Sequence, residues 1–245
     1  MSLKVTLLGT GVGIPMPGRA QASILVQNEM QLLFDCGAGT ILRLTEAMTS
    51  VRDLDTVILT HLHLDHTSDL LALANARYLM QLKGLEVYGP EGTDQWFKKI
   101  HDAYPYLEKM EIFVHELRPY EMLCLKDLNI SVEEAKHGVT ALSYRIESGS
   151  KVMVYSGDTE PLPRIAEMAE GSDLLIHECS FPEPFEVTNH STPKKLGSLI
   201  RGVKRVILTH LYPETQGHEE EMIEDFRAVS GIPADIGKDL QTIKL

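Results

Sequence analysis

Residues 57–66 read Val-Ile-Leu-Thr-His-Leu-His-Leu-Asp-His (VILTHLHLDH), and the first six letters return at 206–211 as VILTHL. Each copy is an apolar run that stops at Thr-His, the pattern of a buried strand ending at a polar edge. A histidine just past such a strand is not needed for packing, but it is well placed to meet something at the strand's end. After the first copy, His61 and His63 are two apart on an extended segment and so project to one side. Asp65 and His66 follow where the chain turns into a helix, so they can face back toward the same spot. Imidazole and carboxylate together suit Zn²⁺, and without a thiolate also Mn²⁺ or Fe²⁺. One cluster of four cannot close two metal sites. Three further candidates also follow strands: His137 in EAKHGVT, Asp158 in YSGDTE and His210 in the second VILTHL. The two copies would then deliver ligands from two halves of the chain to one cleft.

Outward from these strands the pattern changes once. The first half opens with KVTLLG, ASILVQ and QLLFDCG, then a helix over 41–48 and the first VILT strand. Helices are expected at 67–82, with Thr67 or Ser68 as cap, and at 94–103, with the strand LEVYGP between them. Short strands follow (EIFVHEL, EMLCL, LNISVEEA, ALSYRIE, KVMVYSG), and from Pro161 onward helices and strands alternate. Hairpins followed by β-α alternation, with a strand echoed in each half, imply an α/β fold: an αββα sandwich of two mixed sheets flanked by helices. The VILT strands would be pseudo-equivalent and end at one shared edge. No linker or low-complexity tract divides the 245 residues, so one domain spanning 1–245 is expected.

Composition narrows the function. Hydrophobic content of 43% and charged content of 24% are those of a globular chain. No apolar run approaches the roughly 20 residues of a membrane span, and MSLKVTLLGTGVGIP reads as a strand and turn, not a signal peptide. Cys36, Cys124 and Cys179 are odd in number and widely spaced, so a disulfide framework is not expected and a reducing cytoplasm is the default. A formal net charge of −12 argues against general coating of nucleic acid, which needs clustered Lys and Arg. It leaves open local binding of a phosphate at a cation.

In order along the chain, GTGVGIP, FDCGAGT, THLHLDH, KHGVTALSYR, YSGDTEP, HECSF, NHSTP and VILTH resemble the motif series of the metallo-β-lactamase superfamily. They are most similar to its tRNase Z (ribonuclease Z) branch, over nearly the whole chain. The resemblance implies two divalent ions, one held by His61, His63 and His137, the other by Asp65, His66 and His210, with Asp158 bridging. It implies a hydroxide generated between the ions that attacks phosphorus in line, with Asp65 holding or accepting its proton. A leaving alkoxide still needs a proton, and His190 is the candidate donor. It precedes a helix expected over 193–201, with Thr192 as cap and Pro193 in the first turn, where a phosphate would be attracted. The resemblance assigns Glu178 as the acidic partner of His190. Asp35 either braces the ligands through hydrogen bonds or caps the CGAGT turn. His177 braces them likewise or serves a buried structural role. A homodimer is also implied.

Three departures bear on substrate. The connection from His137 to Asp158 leaves no room for the long arm that grips tRNA in many members. Pro15-Met16-Pro17-Gly18-Arg19-Ala20 stands where the branch has Pro-x-Lys-x-Arg-Asn, and Leu-Tyr-Pro-Glu follows His210 in place of a Ser-x-Arg-Tyr type segment. The metal set is complete while RNA contacts are lost. The expectation is therefore a dinuclear phosphodiesterase acting on a small or cyclic phosphodiester. The alternative is tRNA 3′ processing, with an RNA 3′ end as substrate. Arylsulfatase-like ester hydrolysis, or metal binding without turnover, are the further alternatives.

Overall fold

The computed structural model describes residues 2–245. The first sheet starts with three antiparallel strands, β1 (Lys4–Gly9), β2 (Ser23–Gln27) and β3 (Gln31–Phe34), and continues with parallel β4 (Thr56–Ile58), β5 (Leu85–Pro90) and β6 (Ile112–Leu117). The second runs from antiparallel β7 (Met122–Leu125), β8 (Leu128–Ala135), β9 (Ala141–Ser148) and β10 (Lys151–Tyr155) to parallel β11 (Leu174–Glu178), β12 (Val206–Thr209) and β13 (Ala234–Ile236). The last strand, β14 (Gln241–Lys244), crosses back to pair with β1. The spatial orders are β14-β1-β2-β3-β4-β5-β6 and β7-β8-β9-β10-β11-β12-β13, each switching from antiparallel to parallel after its fourth strand.

That symmetry corrects one expectation. In matching positions β4 corresponds to β11, and β12 corresponds to β5. The two VILT strands reach the same edge but are not equivalent, so their likeness does not mark one duplicated position.

The inner faces of the sheets share one core, in which Val5, Leu7, Val26, Phe34 and Ile58 meet Ile130, Val132, Tyr144, Met153 and Ile176. Over the outside of the first sheet lie α1 (Thr40–Glu46) and α3 (Leu70–Leu79), which bury Leu44, Leu70, Leu73 and Ala74. Over the second lie α5 (Pro163–Ala169), α6 (Pro193–Gly197) and α7 (Glu219–Ser230), which bury Ala166, Leu196, Met222 and Phe226. This is the expected αββα sandwich. The helix read as 67–82 is α3, set off from a one-turn α2 (Leu64–Thr67), because Thr67 Oγ1 and Ser68 Oγ donate back to the carbonyls of His63 and Leu64 instead of capping α3. Asp69 turns its carboxylate to the backbone N–H groups of Gly39 and Ile41, capping α1 across the chain. The helix expected at 94–103 is α4 (Thr93–Ala103), and α6 stops at Gly197 instead of Arg201.

Arg77 on α3 is buried, and among the described residues no carboxylate is in hydrogen-bond contact with it. It donates to the carbonyls of Leu54 at 2.6 Å, Val51 at 3.0 Å and Lys83 at 3.0 Å, tying together the segments that flank β4 and β5. Arg77→Met leaves those carbonyls without their charged donor. We expect a loss of about 3 kcal/mol, read as a lower urea midpoint with an unchanged slope.

Candidate metal centre

The sandwich brings the ends of β4, β8, β10, β11 and β12 to one edge. Tyr144 Oη donates to the carbonyl of Leu59 at 2.7 Å, and Leu142 N–H donates to Thr60 O at 2.9 Å. These bonds hold the end of β4 against the second sheet. Close approach is needed twice: a Cβ at Gly37 would lie 2.0 Å from the carbonyl oxygen of Asp65, and one at Gly157 would lie 2.7 Å from Thr60 Cβ. Glycine alone lets the chain pass behind the cluster at both points.

All seven residues expected to hold metal meet at this edge. Donor atoms of His61, His63, His137 and Asp158 lie within 4.8 Å of one another, as do those of Asp65, His66 and His210. His61 Nε2 and His63 Nδ1 are 3.0 Å apart, and His137 Nε2 is 3.2 Å from the same His63 nitrogen. Asp158 stands between the groups: Oδ2 is 3.8 Å from both His61 and His137 and 3.3 Å from His210, while Oδ1 is 3.4 Å from His66. His210 Nε2 is 3.4 Å from Asp65 Oδ2.

Such crowding of nitrogens is unfavourable unless a cation sits between them. Asp158 Oδ1 is buried and lacks a hydrogen bond of good geometry. Burial pushes His61 and His63 below the ordinary imidazole value, leaving them neutral and able to donate lone pairs. Burial works against ionised Asp158, but His210 and His66 outweigh it and hold the carboxyl well below its usual range. Asp65 is likewise held down against burial, by the hydrogen bond with His210 and the charge of His66. Neutral imidazoles facing ionised carboxylates are the donor set of a divalent cation, and these residues fit one.

The far sides of the rings are fixed by hydrogen bonds. His66 Nδ1 is 2.8 Å from Asp35 Oδ2, and Asp35 also accepts from Thr60 N–H at 2.8 Å and Tyr155 Oη at 2.7 Å. Burial would lower His66, but the charges of Asp35 and Asp158 outweigh it, so the metal-free ring is held well above the ordinary value. His137 Nδ1 donates to the carbonyl of Asn189 at 2.9 Å, and His210 Nδ1 is 3.2 Å from Ser180 Oγ. Asp35 and His210 both have left-handed backbones, with φ of 57° and 56°. Non-glycine residues accept such strain where the surroundings over-determine them, as at a functional site.

His190 Nδ1 lies 3.2 Å from Glu178 Oε1, while Glu178 Oε2 accepts from Ser180 Oγ at 2.8 Å and from Ser180 N–H. Burial would lower His190, but the hydrogen bond and charge of Glu178 raise it above the ordinary value. The geometry around it corrects the helix argument. With five residues α6 has little dipole, and Thr192 makes no capping bond; its Oγ1 is buried and unpartnered. His177 stands apart from the cluster. It shares the helix-facing side of β11 with Leu175, and its Nδ1 donates to the carbonyl of Glu178. Strand alternation explains this, because Glu178 faces inward and its neighbour must face out. The sequence reading missed Thr60, Tyr155, Ser180, Asn189 and Tyr212. Thr60 was signalled by the repeated Thr-His, whereas the others had no motif of their own.

A model described as a β-lactamase superfamily domain matches residues 31–211. The chain belongs to the metallo-β-lactamase superfamily, on its ribonuclease Z-like branch. The ribonuclease Z of Methanopyrus kandleri is 31% identical, with 93% of this chain and 92% of that one covered. Their alignment runs over 268 positions against 245 residues here, so the relative carries insertions that this chain lacks. The metallo-β-lactamase fold protein YhfI from Bacillus subtilis is 27% identical, with a TM-score of 0.90 and full coverage of both chains. The short form of human tRNase Z is 23% identical with a TM-score of 0.78, covering 98% of each chain, and shows likeness of fold alone. This superfamily member is a metal-dependent hydrolase. Among the described residues no helix is long and apolar enough to cross a membrane.

Proposed function

We propose that this superfamily member is a two-metal phosphodiesterase in one hydrolase domain spanning 1–245, and that RNA is its substrate class. The observation that carries the chemistry is Asp158, among the described residues the one carboxylate within 4 Å of imidazoles from both donor groups. His61, His63 and His137 would hold one ion and Asp65, His66 and His210 the other, with Asp158 shared. When bound, two such ions supply Lewis acidity and a nucleophilic water at neutral pH. Asp65, held ionised, would orient such a water by accepting a hydrogen bond from it. Asp35, Ser180 and the Asn189 carbonyl fix the far sides of the rings and so the donor directions. His190 keeps its proton on the side away from Glu178 and delivers it to the leaving oxygen.

The name shared by the curated relatives supports RNA over the small diester that the sequence reading put first. One observation favours the small diester as the second reading. Arg19, the basic residue left in the loop after GTGVG, is turned inward, donating to Thr10 Oγ1 at 2.6 Å and to Gly237 O at 2.8 Å. Cleavage of a precursor tRNA carrying a 3′ trailer, beside bis(p-nitrophenyl) phosphate, decides between them. Trailer removal supports the RNA reading, and hydrolysis of the small diester alone overturns it.

Exhaustive dialysis against a chelator is expected to abolish hydrolysis and lower Tm. Zn²⁺ or Mn²⁺ should restore both, with tighter uptake as pH rises because His66 must lose its proton. For His190 the active form is protonated, so the rate stays level below its raised pKa and falls as pH rises through it. Glu178→Gln removes the group that raises this pKa and should move the falling limb to lower pH, read from a kcat/KM profile. Free cysteines fit a cytoplasmic setting. The homodimer implied by the family is tested by sedimentation.

A further inference from the structure

Tyr212 and Ile14 are the large apolar side chains that line the cavity of about 360 Å³ at the metal centre, and neither has a part in the chemistry above. Resting on the phosphodiesterase reading, we propose that Tyr212 is the stacking platform for a nucleobase attached to the scissile phosphate, which makes the substrate nucleosidic. The ring is prepared for that task. Phe181 stacks on one face at 4.5 Å between centroids and 30° between planes, and Phe185 stacks behind Phe181 at 5.6 Å. This three-ring stack fixes the orientation of Tyr212, whose half-buried ring lines the cavity.

The ring adjoins the reacting end of the site. His190 lies 5.4 Å from Tyr212 and His210 lies 6.0 Å from it, both steeply inclined at 65°. A planar group held against Tyr212 in this cavity therefore sits beside His190, the residue proposed to protonate the leaving oxygen. Among the described residues no lysine or arginine lines this cavity, so charge on a distant part of the substrate is not what it reads. The Tyr212 hydroxyl has no hydrogen-bond partner among the described residues. Ile14, 48% exposed in the loop after β1, supplies an apolar edge for the same occupant. Main-chain bonds from Leu211 N–H to Thr10 O at 3.0 Å and from Tyr212 N–H to Ser180 O at 3.3 Å hold the segment in place. Base–aromatic stacking of this kind tolerates any base and changes affinity roughly fivefold to a hundredfold.

The test is calorimetric binding of adenosine 5′-monophosphate and ribose 5-phosphate, the same phosphosugar with adenine or a hydroxyl at C1′, to zinc-loaded protein. Wild type should bind the nucleotide about tenfold or more tighter. Tyr212→Phe should keep that ratio and Tyr212→Ala should reduce it to within about twofold, with Tyr212→Leu replacing the alanine variant if that fails to fold. A wild-type ratio near one, or a ratio that survives loss of the ring, overturns the proposal. Hydrolysis of bis(p-nitrophenyl) phosphate by the same wild-type sample is read separately. If that is absent while the ratio follows the ring, the base platform stands and the phosphodiesterase reading falls.

Discussion

Replacing Asp158 with alanine is expected to lower kcat/KM for any phosphodiester by at least about a thousandfold, or ~4 kcal/mol of transition-state stabilisation. The carboxylate is 3% exposed and lies within 3.8 Å of His61, His137, His210 and His66. Without it, five imidazoles from two sheets face one another with only Asp65 to balance a cation, and one group loses its only carboxylate. Asp158→Asn keeps the shape and removes the charge, so it should behave nearly as badly if charge is the cause. Metal content by elemental analysis should fall below two ions per chain in both variants, with circular dichroism confirming the fold. A variant that keeps more than about a tenth of wild-type activity at full metal content would refute the shared-carboxylate reading.

His190→Ala should cost about 10²–10⁴ in kcat where the leaving group is a ribose alkoxide, the usual worth of a positioned acid. The same variant should lose less than about tenfold on bis(p-nitrophenyl) phosphate, because a nitrophenolate leaves without needing a proton. This dependence on leaving group separates proton donation from mere shaping of the cavity, which would depress both substrates alike. Equal losses would remove His190 from the acid role. Its surroundings support the role: Nδ1 is engaged by Glu178 at 3.2 Å, which leaves Nε2 as the free donor. Ser180 supports the arrangement at a second point, contacting both Glu178 and His210. Loss of Ser180 would therefore disturb the acid and a metal donor together.

The sequence by itself determined the strand-end clustering and the sandwich. Short-range rules suffice there: alternation and apolar runs name the strands, and His-x-His on an extended segment aims both rings one way. His137, Asp158 and His210 were legible because each ends a strand, and strands of one sandwich end at shared edges. The tertiary structure alone decided the remainder, because it depends on contacts between residues far apart in the chain. Nothing local told Asp69 to cap α1 instead of its own helix, and although alternation puts His177 and Glu178 on opposite faces, only the packed sheets decide that Glu178 is the one facing the site. That β12 corresponds to β5 and not to β4 emerges only from strand order, since identical letters carry no topology. Tyr212 had no motif at all. Its place follows from the stacked Phe181 and Phe185, and such packing is fixed by folded neighbours, not by the residues on either side in sequence.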